Sequence, residues 1–177
     1  MDLKAKVTLL GDSEVGKTSL ILRYVKNEFT EVYKQTLGAD FMTKRLEING
    51  NPDKRITLAI WDLAGQEQFS NLREYYLAGT LAAIICFDIT QKSTFEHVPA
   101  WMQEICNICG DIPIILVGTK NDLADHRQVT MKDIEAFLAK EPTKQIHFFE
   151  TSSATHHNVS NVFQHIVDNY VLKEFSG

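Results

Sequence analysis

The run Gly11-Asp12-Ser13-Glu14-Val15-Gly16-Lys17-Thr18 has the residue types and the G-x-x-x-x-G-K-[ST] spacing of a loop that wraps phosphate. Glycines at its two ends let the main chain turn tightly and bring N–H groups up to a β-phosphate with no Cβ in the way. Lys17 supplies a mobile positive charge for the β- and γ-phosphates, and the Thr18 hydroxyl is placed to ligate Mg2+. Three further clusters carry chemistry. Asp62, in Trp61-Asp62-Leu63-Ala64-Gly65-Gln66-Glu67, offers a carboxylate that can hold the hydration shell of a Mg2+ opposite Thr18. The bare N–H of Gly65 suits a γ-phosphate, and Gln66, both donor and acceptor, suits alignment of an attacking water.

The third cluster, Thr119-Lys120-Asn121-Asp122, bears on the base. A carboxylate at Asp122 only accepts hydrogen bonds, and guanine presents N1–H and a 2-amino group side by side. Adenine offers neither there and would leave the carboxylate unpaired. Lys120 can lay its methylene stem over the base while its ammonium reaches back toward the phosphate loop. The fourth, Glu150-Thr151-Ser152-Ser153-Ala154, offers the Ser153 backbone N–H to a guanine O6. Phe29 is either an aromatic edge beside the base or a core residue.

These clusters need elements to hold them, and the chain supplies an alternation of apolar runs and helical patterns. Ala5 to Leu10 reads as a strand ahead of the phosphate loop, and Leu20, Ile21, Leu22, Tyr24 and Val25 read as the helix after it, its N-terminus toward the anion. A polar connector runs from about Asn27 to Gln35. Phe41 to Ile48 and Arg55 to Trp61 read as two strands of an antiparallel hairpin joined by the turn Asn49-Gly50-Asn51-Pro52-Asp53. Leu81 to Phe87 and Ile112 to Val117 are continuous apolar runs, as expected of strands buried on both faces. Ser93 and Glu96 read as a capping box, with Pro99 expected to bend the helix that follows or delay its start. Thr130 reads as the cap of a helix bearing Met131, Ile134, Phe137 and Leu138, and Gln145 to Glu150 as a last strand. Val159, Val162, Phe163, Ile166, Val167, Tyr170 and Val171 share one face of a final helix. The pattern predicts a mostly parallel sheet covered on both sides, with every cluster at a strand's carboxyl end, where such sheets bind ligands.

Bulk properties narrow the function. The 177 residues suit one domain, residues 1–177, and a net charge of −5 argues against a nucleic-acid binder. No apolar run reaches membrane-spanning length. Cys86 reads as core. Cys106-x-x-Cys109 has no second pair and falls at a helix end, so it reads as two half-buried thiols rather than a redox or zinc motif, in keeping with a reducing cytosol. His156-His157 reads as a solvated loop rather than a metal site.

Taken together and in this order, GDSEVGKTS, Thr36, DLAGQE, TKND and TSSA resemble a small GTPase of the Ras superfamily from Lys6 to the final helix. The resemblance implies a P-loop NTPase three-layer α/β fold with six strands, one an antiparallel edge strand, and about five helices. It implies a Mg2+-dependent GDP/GTP switch that hydrolyses GTP slowly on its own. It places nucleotide contacts at Ser13, Glu14, Val15, Gly16, Lys17, Thr18, Ser19, Phe29, Tyr33, Thr36, Gly65, Thr119, Lys120, Asp122, Ser152, Ser153 and Ala154. Gln66, Lys17 and Thr36 would be catalytic, and Thr18, Thr36 and, through water, Asp62 would hold Mg2+. Tyr33 would close over the phosphates. Tyr33 to Asp40 would be switch I and Gly65 to about Tyr76 switch II.

The Rab branch is the most similar: Thr36-Leu37-Gly38-Ala39-Asp40-Phe41 resembles the Rab switch I, and Phe41, Trp61 and a switch II tyrosine resemble the Rab aromatic triad. Ser13 also suits that branch. Phe69 to Tyr76 is one residue shorter than usual in Rabs, Thr119 stands where asparagine is usual, Ala154 where lysine is usual, and Glu14 puts a negative charge in the phosphate loop. The implied partners are a GTPase-activating protein, an exchange factor and effectors, in trafficking or signalling. Leu37, Ala39, Phe41, Trp61, Leu72 and Tyr75 form the expected partner surface. No arginine is placed by motif as an internal finger. The expected location is cytoplasmic or peripheral to a membrane. No cysteine follows Cys109, so membrane contact is expected only through a lipidated tail outside this sequence. Two alternatives stand beside the switch: a GTP-binding interaction module that does not hydrolyse, motivated by Glu14 and the missing arginine, and a P-loop kinase, disfavoured for want of an arginine-bearing lid.

Overall fold

The computed structural model describes residues 2–30, 35–48, 51–65, 70–141 and 145–174. Six strands form one sheet: β1 (Asp2–Leu10), β2 (Ala39–Ile48), β3 (Asn51–Leu63), β4 (Ala82–Asp88), β5 (Ile114–Thr119) and β6 (Ile146–Glu150), in the order β2-β3-β1-β4-β5-β6. All neighbours are parallel except β2 and β3, the expected hairpin, which puts the antiparallel strand at an edge. Its strands are longer than the apolar pattern suggests. β3 opens at Asn51, so the residues from Asn51 to Asp53 are strand rather than turn, with a register irregularity between Glu47 and Ile48. Asn49 and Gly50 lie outside the described residues.

Alternation along the strands divides the interior into two layers. Leu3, Ala5, Val7 and Leu9 of β1, Ile84 and Cys86 of β4, and Ile115 and Val117 of β5 face one side. There they meet Leu20 and Ile21 of α1 (Lys17–Lys26) and Val162, Phe163 and Ile166 of α6 (Val159–Ile166). The Tyr24 and Phe163 rings stack with centroids 3.9 Å apart, locking the two helices together. Ala83, Ile85 and Phe87 of β4 and Ile114 and Leu116 of β5 face the other side. They pack under α2 (Ser70–Leu77), α3 (Lys92–Glu96), α4 (Val98–Cys109) and α5 (Met131–Leu138). Both faces of β4 are buried along its whole length, which is why it reads as an unbroken apolar run.

The helices follow the sequence with two differences. Pro99 sits in the first turn of α4, where its missing N–H costs nothing, and the bend expected there separates α3 from α4 at His97. This break makes six α-helices of five residues or more among the described residues, where about five are predicted. The Ser93–Glu96 capping box does not form. Asp88 closes the turn after β4 by accepting from the Thr90 N–H at 2.8 Å and the Thr90 hydroxyl at 2.6 Å, so the helix starts at Lys92 with Gln91 as its uncapped N-cap. The Thr130 cap does form, as a reciprocal box with Asp133. After α6 the last helical face continues through a π turn, Val167–Val171, into Leu172–Glu174. Among the described residues, no helix is long and apolar enough to cross a membrane.

Candidate functional site

The carboxyl ends of β1, β3, β5 and β6 open onto one cleft of about 560 Å³, a size suited to a nucleotide-sized ligand. Its lining runs from Ser13, Glu14, Gly16, Lys17, Thr18 and Ser19, past Thr36 and Gly65, to Phe29, Thr119, Lys120, Asp122, Ser153 and Ala154. The four sequence clusters therefore meet in one place.

At the phosphate-loop end, Gly11 adopts φ +136, and a Cβ there would fall 2.2 Å from the Cys86 carbonyl oxygen, so β1 can hand the chain to the loop only through glycine. α1 begins at Gly16 with no side-chain cap, leaving its N-terminal dipole directed at the cleft. Lys17 is almost wholly buried and donates to the carbonyls of Gly11 at 2.8 Å and Asp12 at 2.6 Å. Burial drives its pKa down, while the neighbouring Asp62 charge pulls it back up. Glu14 is exposed at φ +64, a main-chain conformation uncommon for a residue with a side chain. Gly65 sits against the same loop: a Cβ on it would lie 2.5 Å from main-chain atoms of Gly11, Asp12 and Ser13.

Asp62 lies within β3, one residue before its end, and is buried. The Thr18 hydroxyl donates to its Oδ2, the Thr36 hydroxyl does so at 3.2 Å, and the two hydroxyl oxygens stand 3.1 Å apart. Its Oδ1 is buried with no hydrogen-bond partner among the described residues. Burial raises the Asp62 pKa, against the Thr18 bond and the Lys17 charge, which lower it. Two hydroxyls, one carboxylate and an orphaned carboxylate oxygen form a hard-oxygen set, and Mg2+ completes such a set with phosphate and water oxygens. The residues present fit that ion.

At the other end, the structure assigns different duties within the predicted list. Asp122 accepts from the Ser152 hydroxyl at 2.6 Å; Ser152 is buried behind the cleft and orients the carboxylate rather than lining the pocket. The Thr119 hydroxyl donates to the carbonyls of Val15 and of Phe87, tying the phosphate loop to β4. Val15 is itself a core residue. Lys120 lines the cleft, but its ammonium does not reach the phosphate loop: it pairs at 2.6 Å with Asp88, a fully buried carboxylate that requires a counter-charge. Phe29 is in the cleft wall and 39% exposed, not core. Tyr33 and Gln66 lie outside the described residues, as do the other residues of 31–34 and 66–69 in the two predicted switches.

Several residues that the motifs do not mark also act here. Asp12 accepts from the Trp101 indole N–H at 2.8 Å and stands 2.6 Å from His97 Nδ1, so the bend between α3 and α4 holds the phosphate loop. Arg73 of α2 is buried over the Trp101 ring and paired with Glu104 at 2.6 Å. Arg23 binds the carbonyls of Ser153 and Ala154. All are long-range contacts that no local spacing could show. Knowing that α4 must lie beside the carboxyl end of β1 would have been the one usable signal for Trp101.

Away from the cleft, Phe41, Trp61 and Tyr76 form a continuous aromatic row, with centroids 5.1 and 5.8 Å apart. Leu37, Phe41, Leu72 and Tyr75 are exposed around it, and Trp61 and Ala39 are partly covered. Cys86 is buried and its thiol is pushed up to about 12 by burial; Cys106 and Cys109 are half-buried free thiols, with Cys109 donating to the Leu77 carbonyl at 3.2 Å. Among the described residues no group of three His, Cys, Asp or Glu converges as a metal site.

Comparison with known proteins agrees with this geometry. The sequence model of the Ras family matches residues 6–172. The chain is 40% identical over 163 residues to the Ras-related protein Rab-11C of Dictyostelium discoideum, covering 92% of this chain and 70% of that protein. It is 40% identical over 164 residues to the Ras-related protein RABA4b of Arabidopsis thaliana, with the same coverage of 92% and 70%. The Ras-related protein RABF2b of Arabidopsis thaliana is 39% identical over 165 residues, 93% of this chain and 80% of that protein.

Proposed function

Since the chain belongs to the Ras family, in its Rab branch, we propose how its own residues divide the work of a guanine-nucleotide switch. The family's activity, binding GTP and GDP with Mg2+ and hydrolysing GTP, is this chain's activity. Lys17 and the main chain of Ser13, Glu14, Val15, Gly16 and Ser19 hold the phosphates. Thr18 and Thr36 would hold Mg2+ through their hydroxyls and Asp62 through water, and the ion would supply positive charge against the phosphates. Gly65 donates its N–H to the γ-phosphate, and Gln66 orients the attacking water, with Tyr33 closing the site.

The base end reads guanine through the Asp122 carboxylate, held by Ser152, and through the main chain of Ser153 and Ala154 opposite. Phe29 and the Lys120 stem flank the base, and Thr119 joins the two ends. The observation that carries this reading is that Thr18 and Thr36, in the wall of the same cleft as Asp122 and Phe29, both turn their hydroxyls to the buried Asp62 behind them, one of whose oxygens has no partner among the described residues.

Thr36 and Gly65 leave their γ-phosphate contacts on hydrolysis, and segments 33–40 and 65–76 report the change. The reporting surface is the aromatic row of Phe41, Trp61 and Tyr76 with exposed Leu37, Leu72 and Tyr75, against which effectors dock. Arg23, Arg73 and Arg127 are each bound to other partners, and Arg45 and Arg55 are exposed on the hairpin, so none serves as an internal finger. Turnover without a GTPase-activating protein is accordingly slow, and an exchange factor reloads the site. A Rab-like trafficking role, cytoplasmic or peripheral to a membrane, completes the proposal, with residues 1–177 acting as one domain.

The test is to identify the nucleotide released from purified protein and to follow single-turnover GTP hydrolysis with Mg2+. Guanine nucleotide alone is expected, with hydrolysis lost on Gln66→Leu. ATP held as well as GTP would overturn the base assignment, and wild-type rates in Gln66→Leu would overturn the role of Gln66.

A further inference from the structure

Arg23 leaves α1 on its polar side and ends between the two lips of the base pocket. Its Nε–H donates to the Ser153 carbonyl at 2.6 Å and an Nη2–H to the Ala154 carbonyl at 3.2 Å. Its Nη1 donates to the Asn27 carbonyl at 3.1 Å and to the Asn27 side-chain oxygen at 3.3 Å. The guanidinium carbon also lies 5.7 Å from the centre of the Phe29 ring, within cation–π range. One planar group thus joins the chain leaving α1, with Asn27 and Phe29, to the chain leaving β6, with Ser153 and Ala154.

We propose that Arg23 is a positioning residue for guanine recognition: by gripping the Ser153 and Ala154 carbonyls it sets the N–H groups that meet guanine O6. This rests on the assignment of the Ser153–Ala154 main chain to that oxygen. A peptide unit is planar, so fixing the Ser153 carbonyl toward Arg23 turns the Ala154 N–H of the same unit the opposite way, and fixing both neighbouring carbonyls fixes the whole segment. On the other side of that segment, Ser152 accepts from the Thr155 N–H at 3.1 Å while donating to Asp122. Arg23 and Ser152 therefore brace it from two directions. Only a fork of donors can do this. A lysine at position 23 would supply charge and stem but could not span the Ser153, Ala154 and Asn27 acceptors in a fixed plane. The segment also has the smaller Ala154 at its tip, so its geometry depends on main-chain bonds rather than on a long side chain of its own.

The test compares affinities for GDP and for the diphosphate of 2-aminopurine riboside, which lacks O6 and with it N1–H but keeps the 2-amino group, by competition with a fluorescent GDP in Mg2+ buffer. The missing N1–H costs wild type and variants alike at Asp122 and so cancels when their preferences are compared. Wild type is expected to prefer GDP strongly. Arg23→Gln and Arg23→Lys are expected to shrink that preference by about tenfold or more, the scale on which loss of a hydrogen-bonding partner alters discrimination. Their affinity for the analogue should stay within about threefold of wild type, because its remaining contacts lie at Asp122 and the phosphates. A general loss of stability would weaken both nucleotides together. An unchanged ratio in Arg23→Lys, which keeps charge and stem and so protects folding, overturns the proposal. A wild type that does not distinguish GDP from the analogue overturns it at an earlier step, by showing that the Ser153–Ala154 segment does not read O6.

Discussion

Trp101 donates its indole N–H to the Asp12 carboxylate over 2.8 Å, across 89 residues of sequence. The bond joins α4 to the second residue of the phosphate loop, whose main-chain carbonyl in turn accepts from Lys17. The same indole ring lies under the Arg73 guanidinium at 4.8 Å, and Arg73 belongs to the helix at the end of the second switch. Loop, α4 and α2 are therefore in contiguous contact through Asp12, Trp101 and Arg73. A hydrogen bond to a charged acceptor contributes about 1.5–3 kcal/mol where it is well shielded. Asp12 is only partly buried, so about 1–2 kcal/mol of coupling is expected between the two residues. A double-mutant cycle in urea with Trp101→Phe and Asp12→Ala measures it, since the volume lost with the indole cancels. Strict additivity would mean that the bond carries no energy. Each single variant should also release GDP faster than wild type.

Asp62→Asn keeps the shape of the side chain and removes its charge. In Mg2+ buffer the GDP dissociation rate of this variant should rise by about tenfold or more, a loss of about 1.4 kcal/mol of metal-linked binding. In EDTA it should match wild type within about threefold, since the effect is proposed to run through the ion. Stopped-flow displacement of a fluorescent GDP in the two buffers reads both numbers. Equal Mg2+ dependence in variant and wild type would remove Asp62 from the metal site.

The residues proposed to serve the nucleotide were legible because phosphate and base each demand short, ordered sets of types: Gly16-Lys17-Thr18, Asp62, and Asp122 followed by Ser152. The strands were legible where burial on both faces left an unbroken apolar run, as from Ala82 to Phe87. What stayed hidden was whatever depends on distance in space. Lys120 looked free to reach the phosphate loop, but buried Asp88 takes its ammonium. Ser93 and Glu96 had the spacing of a cap, yet Asp88 had already turned the chain. No motif marks Trp101, since nothing local shows that its N–H faces Asp12. No motif marks Arg23, for the same reason: its acceptors lie 130 and 131 positions away.

His165 of α6 stacks on His147 of β6 at 4.0 Å, with the Phe149 and Tyr170 rings edge-on to it at 5.7 Å. The Asn169 amide approaches its Nδ1 at 3.2 Å, and its Nε2 is buried with no partner among the described residues. Burial, reinforced by His147 and Lys173 and opposed by Asp168, holds its pKa below the ordinary imidazole value of 6.5. The native state therefore favours neutral His165. Its contribution to stability is complete above the unfolded value and is lost as pH falls through that value toward the lower folded one. Urea midpoints should drop between pH 7 and pH 5, and His165→Phe, which keeps the ring packing but cannot take up a proton, should flatten that drop. An equally steep fall in the variant would place the acid sensitivity elsewhere.

Asp122→Asn should change which base the protein prefers. The carboxylate is proposed to accept from guanine N1–H and the 2-amino group, whereas an amide presents one acceptor and one donor. Xanthine keeps N1–H but carries a carbonyl at C2, so it matches the amide and repels the carboxylate. Ser152 donates to Asp122 Oδ1 at 2.6 Å, and that bond must survive for the amide to be held in register. An asparagine oxygen can accept it in place of Oδ1, leaving the NH2 for the base. GDP affinity should fall by about 100-fold or more, the scale on which a polar site rejects a ligand that leaves its groups unpaired, while XDP affinity rises. Competition of GDP, XDP and ADP against a fluorescent diphosphate measures the change. Removing the brace with Ser152→Ala in the Asp122→Asn background should cost part of the gained XDP affinity, because the amide is then free to turn. Weakening of GDP and XDP to the same degree in Asp122→Asn would show that the residue supports the pocket without reading the base.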